Sequence, residues 1–174
     1  MSIFLLQAEN GSVSQYLERP VWAFENPVKI NFGKGTFDSV PEIINGRPYC
    51  LVTYNEPYFD TLTASLSAIA GPPTILINNI TPNPDFTTLA ESCRQFSKIA
   101  KEDCVIVALG GGSVMDAAKV LASTNDGFEP IRRFLETGEG EDQLSSHPII
   151  AVPTTAGTGS EVTHWATVWD MEAM

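Results

Sequence analysis

Cys104-Val-Ile-Val-Ala-Leu-Gly-Gly-Gly-Ser-Val-Met-Asp-Ala-Ala-Lys119 is the stretch that decides the fold of this chain. Its first six residues are apolar without alternation, as in a strand covered on both faces. Gly110-Gly-Gly-Ser113 interrupts the run, and Val114, Ala117, Ala118 and Leu121 then recur at helical spacing. Three glycines leave no Cβ to hold a bulky anion away from the backbone. A helix starting near Ser113 aims unpaired N–H groups and a partial positive charge at the same spot. Ser113 can add a hydroxyl or cap the helix. At the carboxyl end of a strand in an open α/β sheet, a diphosphate is the expected guest. The spacing is not GxGxxG, because the third position is Met115, and no GK[ST] follows to make a P-loop. The competing reading is a tight strand-to-helix turn with no ligand.

Working outward, strands and helices alternate. Upstream, Val28-Lys-Ile-Asn-Phe32 reads as a first strand, Gly33-Lys-Gly35 as a turn, and Phe37 to Ile44 as a short helical stretch. Tyr49-Cys-Leu-Val-Thr53 is a compact apolar strand. Phe59, Leu62, Leu66 and Ile69 then mark a helix closed by Gly71 and Pro72. Thr74 to Ile77 is a further strand. Thr81-Pro-Asn-Pro84 introduces a helix with Phe86, Leu89, Cys93, Phe96 and Ala100 on one face, Asn83 standing at the N-cap and Pro84 at the first helical position. Downstream, the acids Glu136, Glu139, Glu141 and Asp142 read as a solvated loop before the strand Ile149-Ile-Ala-Val152. Pro153 to Gly159 is a Thr/Gly loop, and Thr163 to Trp169 reads as a last strand. This order predicts an α/β, Rossmann-like, doubly wound and mainly parallel sheet flanked by helices, with right-handed crossovers. Residues 1–21 form an irregular N-terminal segment and 22–174 one nucleotide-binding domain.

Composition agrees. The 174 residues carry 10 basic and 21 acidic side chains, a net charge of −11, and 43% are hydrophobic, enough for the core of one domain. An acidic chain repels phosphate backbones, which argues against nucleic acid as partner. No apolar run approaches the ~20 residues of a membrane span, and the first residues lack the basic start of a signal peptide. Cys50, Cys93 and Cys104 are odd in number and widely spaced. They point to neither a disulfide framework nor a cysteine zinc site, and a cytoplasmic setting is expected.

A second polar segment follows a buried strand. Pro153-Thr-Thr-Ala-Gly-Thr-Gly-Ser160 places hydroxyls and free backbone at the same sheet edge as the glycine turn, suited to clasping a ribose or adenine, or else forming an ordinary loop. Asp116 follows Ser113 at helical spacing and can face a ligand or pair with Lys119 at i, i+3; Lys119 is left as structural. His147 and His164 have no acidic partner at ligand spacing, so neither is taken as a metal ligand. Trp165 and Trp169 are expected in the core or at an interface.

Together, Phe24-Glu-Asn-Pro-Val28, Phe32-Gly-Lys-Gly35, Thr81-Pro-Asn-Pro84, Gly110 to Lys119 and Pro153-Thr-Thr-Ala-Gly-Thr-Gly-Ser-Glu-Val-Thr163 resemble the iron-containing (group III) alcohol dehydrogenases, from about residue 22 to the end. Dehydroquinate synthase and glycerol-1-phosphate dehydrogenase are similar in the glycine loop but generally lack the Thr-rich string. The resemblance implies an amino-terminal domain that holds NAD or NADP. Gly111, Gly112 and Ser113 would take the pyrophosphate, and Thr154, Thr155 and Thr158 the adenosine. Asn83 would lie near the ribose and Asp116 near the nicotinamide. It also implies a small-molecule alcohol or aldehyde as substrate and a homo-oligomer. Where many members carry an Asp that repels a 2′-phosphate, this chain has Thr53-Tyr54-Asn55, so NADP is admissible. In the family, Fe²⁺ or Zn²⁺ is bound by one Asp and three His of a helical carboxyl-terminal domain, which would begin beyond Met174. The expectation is a fragment of a full-length parent that binds cofactor without turnover alone. The competing expectations are a stand-alone nucleotide-binding module or part of a dehydroquinate synthase-like or glycerol-1-phosphate dehydrogenase-like enzyme.

Overall fold

The computed structural model describes residues 2–4, 26–100 and 103–171. Four strands form a parallel sheet: β2 (Tyr49–Val52), β3 (Ile75–Ile77), β4 (Val105–Gly110) and β5 (Ile149–Pro153), in the order β3-β2-β4-β5. Register is fixed by pairs such as Leu51 with both Leu76 and Val107, and Ala108 with Ala151. β2 and β4 are buried along their whole length, which is why neither alternates polar with apolar residues.

Each central strand feeds two cores, because successive side chains point to opposite faces. Cys50, Val52, Ile106 and Ala108 pack under α3 (Phe86–Ile99) and α4 (Gly112–Ala122). Tyr49, Leu51, Val105, Val107 and Leu109 pack against Val40 and Ile44 of α1 (Val40–Ile44) and Leu66 of α2 (Pro57–Ala70). On α4, the expected inward residues Val114, Ala117, Ala118 and Leu121 are all fully buried. On α3, Phe86, Leu89, Cys93 and Phe96 are buried as the spacing predicts.

Several sequence expectations need correction. Val28 to Phe32 forms no strand. Val28, Ile30 and Phe32 are 42%, 68% and 97% exposed, and among the described residues no strand lies beside them to accept their backbone. The helix after Pro84 begins two residues later than expected. Asn83 has φ 58°, outside the extended geometry of an N-cap, and Asp85 takes that place, accepting from the Thr88 amide at 2.9 Å. The acidic stretch is partly helical, since α5 (Glu129–Thr137) runs into it and Glu136 pairs with Arg132 at 2.8 Å. The last strand, β6, covers only Thr167–Trp169, because the residues before it are tied to α4 by Lys119, which donates to Thr163 Oγ1 and the Trp165 carbonyl. β6 pairs antiparallel with β1 (Ser2–Phe4), so the segment read as irregular contains a strand at its start.

The strand order fixes where a ligand can enter. From β2 the chain proceeds to β3 on one side, and from β4 to β5 on the other. The loops leaving β2 and β4 therefore diverge, opening a crevice at the carboxyl ends of these two strands.

Candidate dinucleotide site

The glycine turn lies at that crevice. Gly110 ends β4 opposite Pro153, and the Thr154 amide donates to its carbonyl at 2.9 Å. A Cβ on Gly110 would lie 2.5 Å from Val114 Cγ2, so the turn from strand to helix closes only on glycine. Gly111 caps α4 with extended backbone and no side-chain bond. The Val114 and Met115 amides donate to the Gly111 carbonyl at 3.0 and 3.1 Å. The amides of Gly112 and Ser113 precede that ladder and point out of the helix start, where the helix dipole favours negative charge.

The Thr-rich loop lies directly on this turn. A methyl group on Gly111 would sit 3.2 Å from Thr155 Oγ1, and one on Gly112 would sit 3.1 Å from Thr158 Cγ2. Asn83 joins from the other side, its amide donating to Ser113 Oγ at 3.2 Å. Ser113 thus contributes a hydroxyl contact, and the capping position belongs to Gly111. Asn83, Gly111, Gly112, Ser113, Thr154, Thr155 and Thr158 are brought to one place although they span more than seventy positions of sequence.

Asp116 is already engaged. Ser160 Oγ donates to Asp116 Oδ1 at 2.7 Å, and Lys119 Nζ lies 3.7 Å from the same oxygen. The i, i+3 pair exists, yet it is no surface pair, since the two side chains are 14% and 16% exposed. Lys119 also donates to Ser160 Oγ at 2.8 Å, Thr163 Oγ1 at 3.3 Å and the Trp165 carbonyl. Burial lowers the Lys119 pKa, opposed by the charges of Asp116 and Glu161. The lysine is a clamp that fastens residues 160–165 onto α4, a role its spacing alone did not disclose.

Tyr54, one residue past Thr53 at the end of β2, escaped sequence reasoning as a wall of the site. Thr53 Oγ1 donates across the sheet to the Leu109 carbonyl at 2.9 Å, drawing the two strand ends together. The Tyr54 ring then lies over the glycine turn: methyl groups on Gly110 and Gly111 would sit 3.2 Å from its Cε2 and 3.6 Å from its Oη. Only the strand order could have disclosed this neighbour.

The remaining polar groups take structural positions. His147 Nδ1 meets the Cys104 carbonyl at 3.2 Å and its ring stands edge-on to Phe96 at 5.1 Å, a satisfied histidine as expected. His164 stacks obliquely on Trp165 at 4.2 Å. Among the described residues no three His, Cys, Asp or Glu converge to hold a metal ion, so these residues do not fit a catalytic metal centre. For a dinucleotide the fit is good, because the glycine turn offers the bare backbone a diphosphate requires. A cleft of about 1240 Å³ continues from the site along β5, bordered by Phe32, Met115, Lys119, Thr154, Ser160 and His164.

A parallel sheet of this order with a glycine turn at its divergence point defines a Rossmann-like α/β domain. Residues 27–174 match the family model described as iron-containing alcohol dehydrogenase. The chain is 38% identical over 121 residues to phosphonoacetaldehyde reductase of Streptomyces viridochromogenes, covering 67% of this chain and 29% of that protein. It is 35% identical over 161 residues to choline dehydrogenase of Bacillus subtilis, covering 86% and 38%. Among solved structures, sulfoacetaldehyde reductase from Bifidobacterium kashiwanohense in complex with NAD⁺ superposes with a TM-score of 0.71 at 30% identity, covering 87% of this chain and 43% of that one. The chain belongs to the iron-containing alcohol dehydrogenase family. It spans less than half the length of these relatives.

Proposed function

We propose that this chain is the NAD(P)(H)-holding part of an oxidoreductase that moves hydride between a small alcohol and its aldehyde or ketone. The Gly112 and Ser113 amides would hold the diphosphate, with Gly111 giving it room. Thr154, Thr155, Thr158 and Asn83 would border the adenosine half. Asp116, fixed by Ser160 and Lys119, would set the charge further along the cleft. The bound nicotinamide supplies the hydride acceptor or donor, and the chain's own work is to bind and orient it. Metal ligands of the family pattern are assigned outside the described residues. The neutral Thr53-Tyr54-Asn55 segment, with no carboxylate to repel a 2′-phosphate, makes NADPH as acceptable as NADH. A reducing, cytoplasmic setting suits the three free cysteines.

The observation that carries this reading is the packing of Thr155 and Thr158 against Gly111 and Gly112 at a helix start, where the first amides precede the intrahelical ladder. It is tested by titrating the chain with ADP, NADH and NADPH in a calorimeter. Saturable binding of all three is expected, and Gly112→Val should abolish it without unfolding the chain. Absence of heat with every nucleotide, in protein with a cooperative melt, would overturn the proposal.

A further inference from the structure

Beyond the exposed stretch 153–158, the Thr-rich loop is fastened at a buried residue, Ser160, which is 9% exposed. Its hydroxyl is used in both directions. Lys119 Nζ donates to Ser160 Oγ at 2.8 Å, and Ser160 Oγ donates to Asp116 Oδ1 at 2.7 Å. An ammonium group has no lone pair, so the hydroxyl proton is directed to the carboxylate and not to the lysine. The result is a one-way chain of hydrogen bonds from lysine to serine to aspartate. Lys119 also stands 3.7 Å from that same oxygen, so Oδ2 is the atom left to a guest. The Ser160 backbone extends the fastening: its amide donates to Thr158 Oγ1 at 3.3 Å, and its carbonyl accepts from the Thr163 amide at 3.4 Å. Ser160 and Lys119 both border the cleft that leads from the glycine turn along β5.

We infer that Ser160 is a positioning residue for the nicotinamide half of the bound dinucleotide, acting through Asp116. This rests on the dinucleotide reading above, in which a diphosphate on the glycine turn sends the far half of the ligand into the cleft. The nicotinamide carboxamide carries two N–H donors and its oxidised ring is cationic; a carboxylate held in one orientation suits both. Without the Ser160 bond, Asp116 would swing to the ammonium of Lys119 and turn its oxygens away from the ligand. A binding group performs only when its neighbours lock its rotamer. ADP ends at the diphosphate and does not sense this lock.

The test titrates ADP and NADH against the whole chain in wild type, Ser160→Ala and Asp116→Asn. Each is measured well below its melting midpoint, where a loss of stability alone leaves affinity unchanged. Ser160→Ala should weaken NADH about tenfold, the size of one hydrogen bond to a charged group, and leave ADP binding as it was. NADH at saturation should also show lower fluorescence anisotropy, because its emitting ring is no longer held. Asp116→Asn should give the same selective loss, and the double variant should bind NADH no more weakly than the weaker single variant. Equal loss for ADP and NADH would overturn the inference, since Ser160 would then shape the loop as a whole. NADH affinity equal to wild type would overturn it too, as would losses that add in the double variant. Should Ser160→Ala fail to fold, Ser160→Cys, which keeps the volume and weakens the donor, takes its place in the same comparison. Wild type that binds neither nucleotide would sink the dinucleotide reading itself, whereas ADP binding that no variant alters leaves that reading standing whatever becomes of Ser160.

Discussion

At the scale of single residues the site is governed by how little room the glycine turn leaves. Gly110→Ala would place a carbon 2.5 Å from Val114 Cγ2 and 2.8 Å from Val114 Cβ, both in the buried first turn of α4. We expect a loss of about 1–3 kcal/mol, read as a lower denaturant midpoint. Asn55 is exposed at the end of the β2 loop, and Asn55→Asp adds a charge there with almost no change of shape. Like-charge repulsion should weaken NADPH relative to NADH, by roughly tenfold, in paired titrations. Lys119 titrates in a calculable direction. Its pKa is lowered from 10.5 by burial, so between that lowered value and 10.5 the unfolded chain holds more protons than the folded one. Lys119 therefore contributes a rise of stability with pH in this window, against the loss from Cys50, Cys93, Cys104 and Tyr49, whose pKa values burial raises. Chemical denaturation at several alkaline pH values checks it: Lys119→Met should steepen the fall of stability with pH, and an unchanged slope would mean that Lys119 keeps its ordinary pKa.

At the scale of elements, what the sequence disclosed depended on whether an element's partner was local. β4 and α4 were legible because an uninterrupted apolar run, three glycines and a helical stripe follow one another directly. Val28 to Phe32 alternates like a strand, but a strand is defined by its neighbour, and among the described residues it has none. α5 was missed because only Phe128, Ile131 and Leu135 mark its inner face, and charged residues crowd the rest. At the site, the two polar loops were visible because each follows an apolar strand. Tyr54 was not, because the order β2-β4 cannot be read from chain sequence. The cap of α3 offers a clean check. Asp85 accepts from the Thr88 amide at 2.9 Å and from Thr88 Oγ1 at 3.1 Å. Asp85→Ala should cost about 1 kcal/mol, while Asn83→Gly, which removes no cap and keeps the left-handed backbone at φ 58°, should leave the melt nearly unchanged. Thermal melts of the two variants distinguish these positions.

At the scale of the whole molecule, two cores share one sheet, and the cysteines report on both the strands and the helix above them. Cys50, Cys93 and Cys104 are completely buried. Burial pushes the Cys93 thiol up to about 12 and raises Cys50 and Cys104 as well, so none is a thiolate at neutral pH. Native protein should be inert to a disulfide reagent at mildly alkaline pH, with three thiols released by denaturant. Rapid labelling of the native chain would contradict the packing of α3 on the sheet. The glycine turn, finally, is held on all sides before anything binds: Thr154 to the Gly110 carbonyl, Asn83 to Ser113, and Lys119 across to the Trp165 carbonyl. A receptor assembled in advance owes no ordering entropy when its guest arrives. Stopped-flow mixing with nucleotide should then give a single phase whose rate climbs linearly with concentration, with no plateau from a preceding rearrangement.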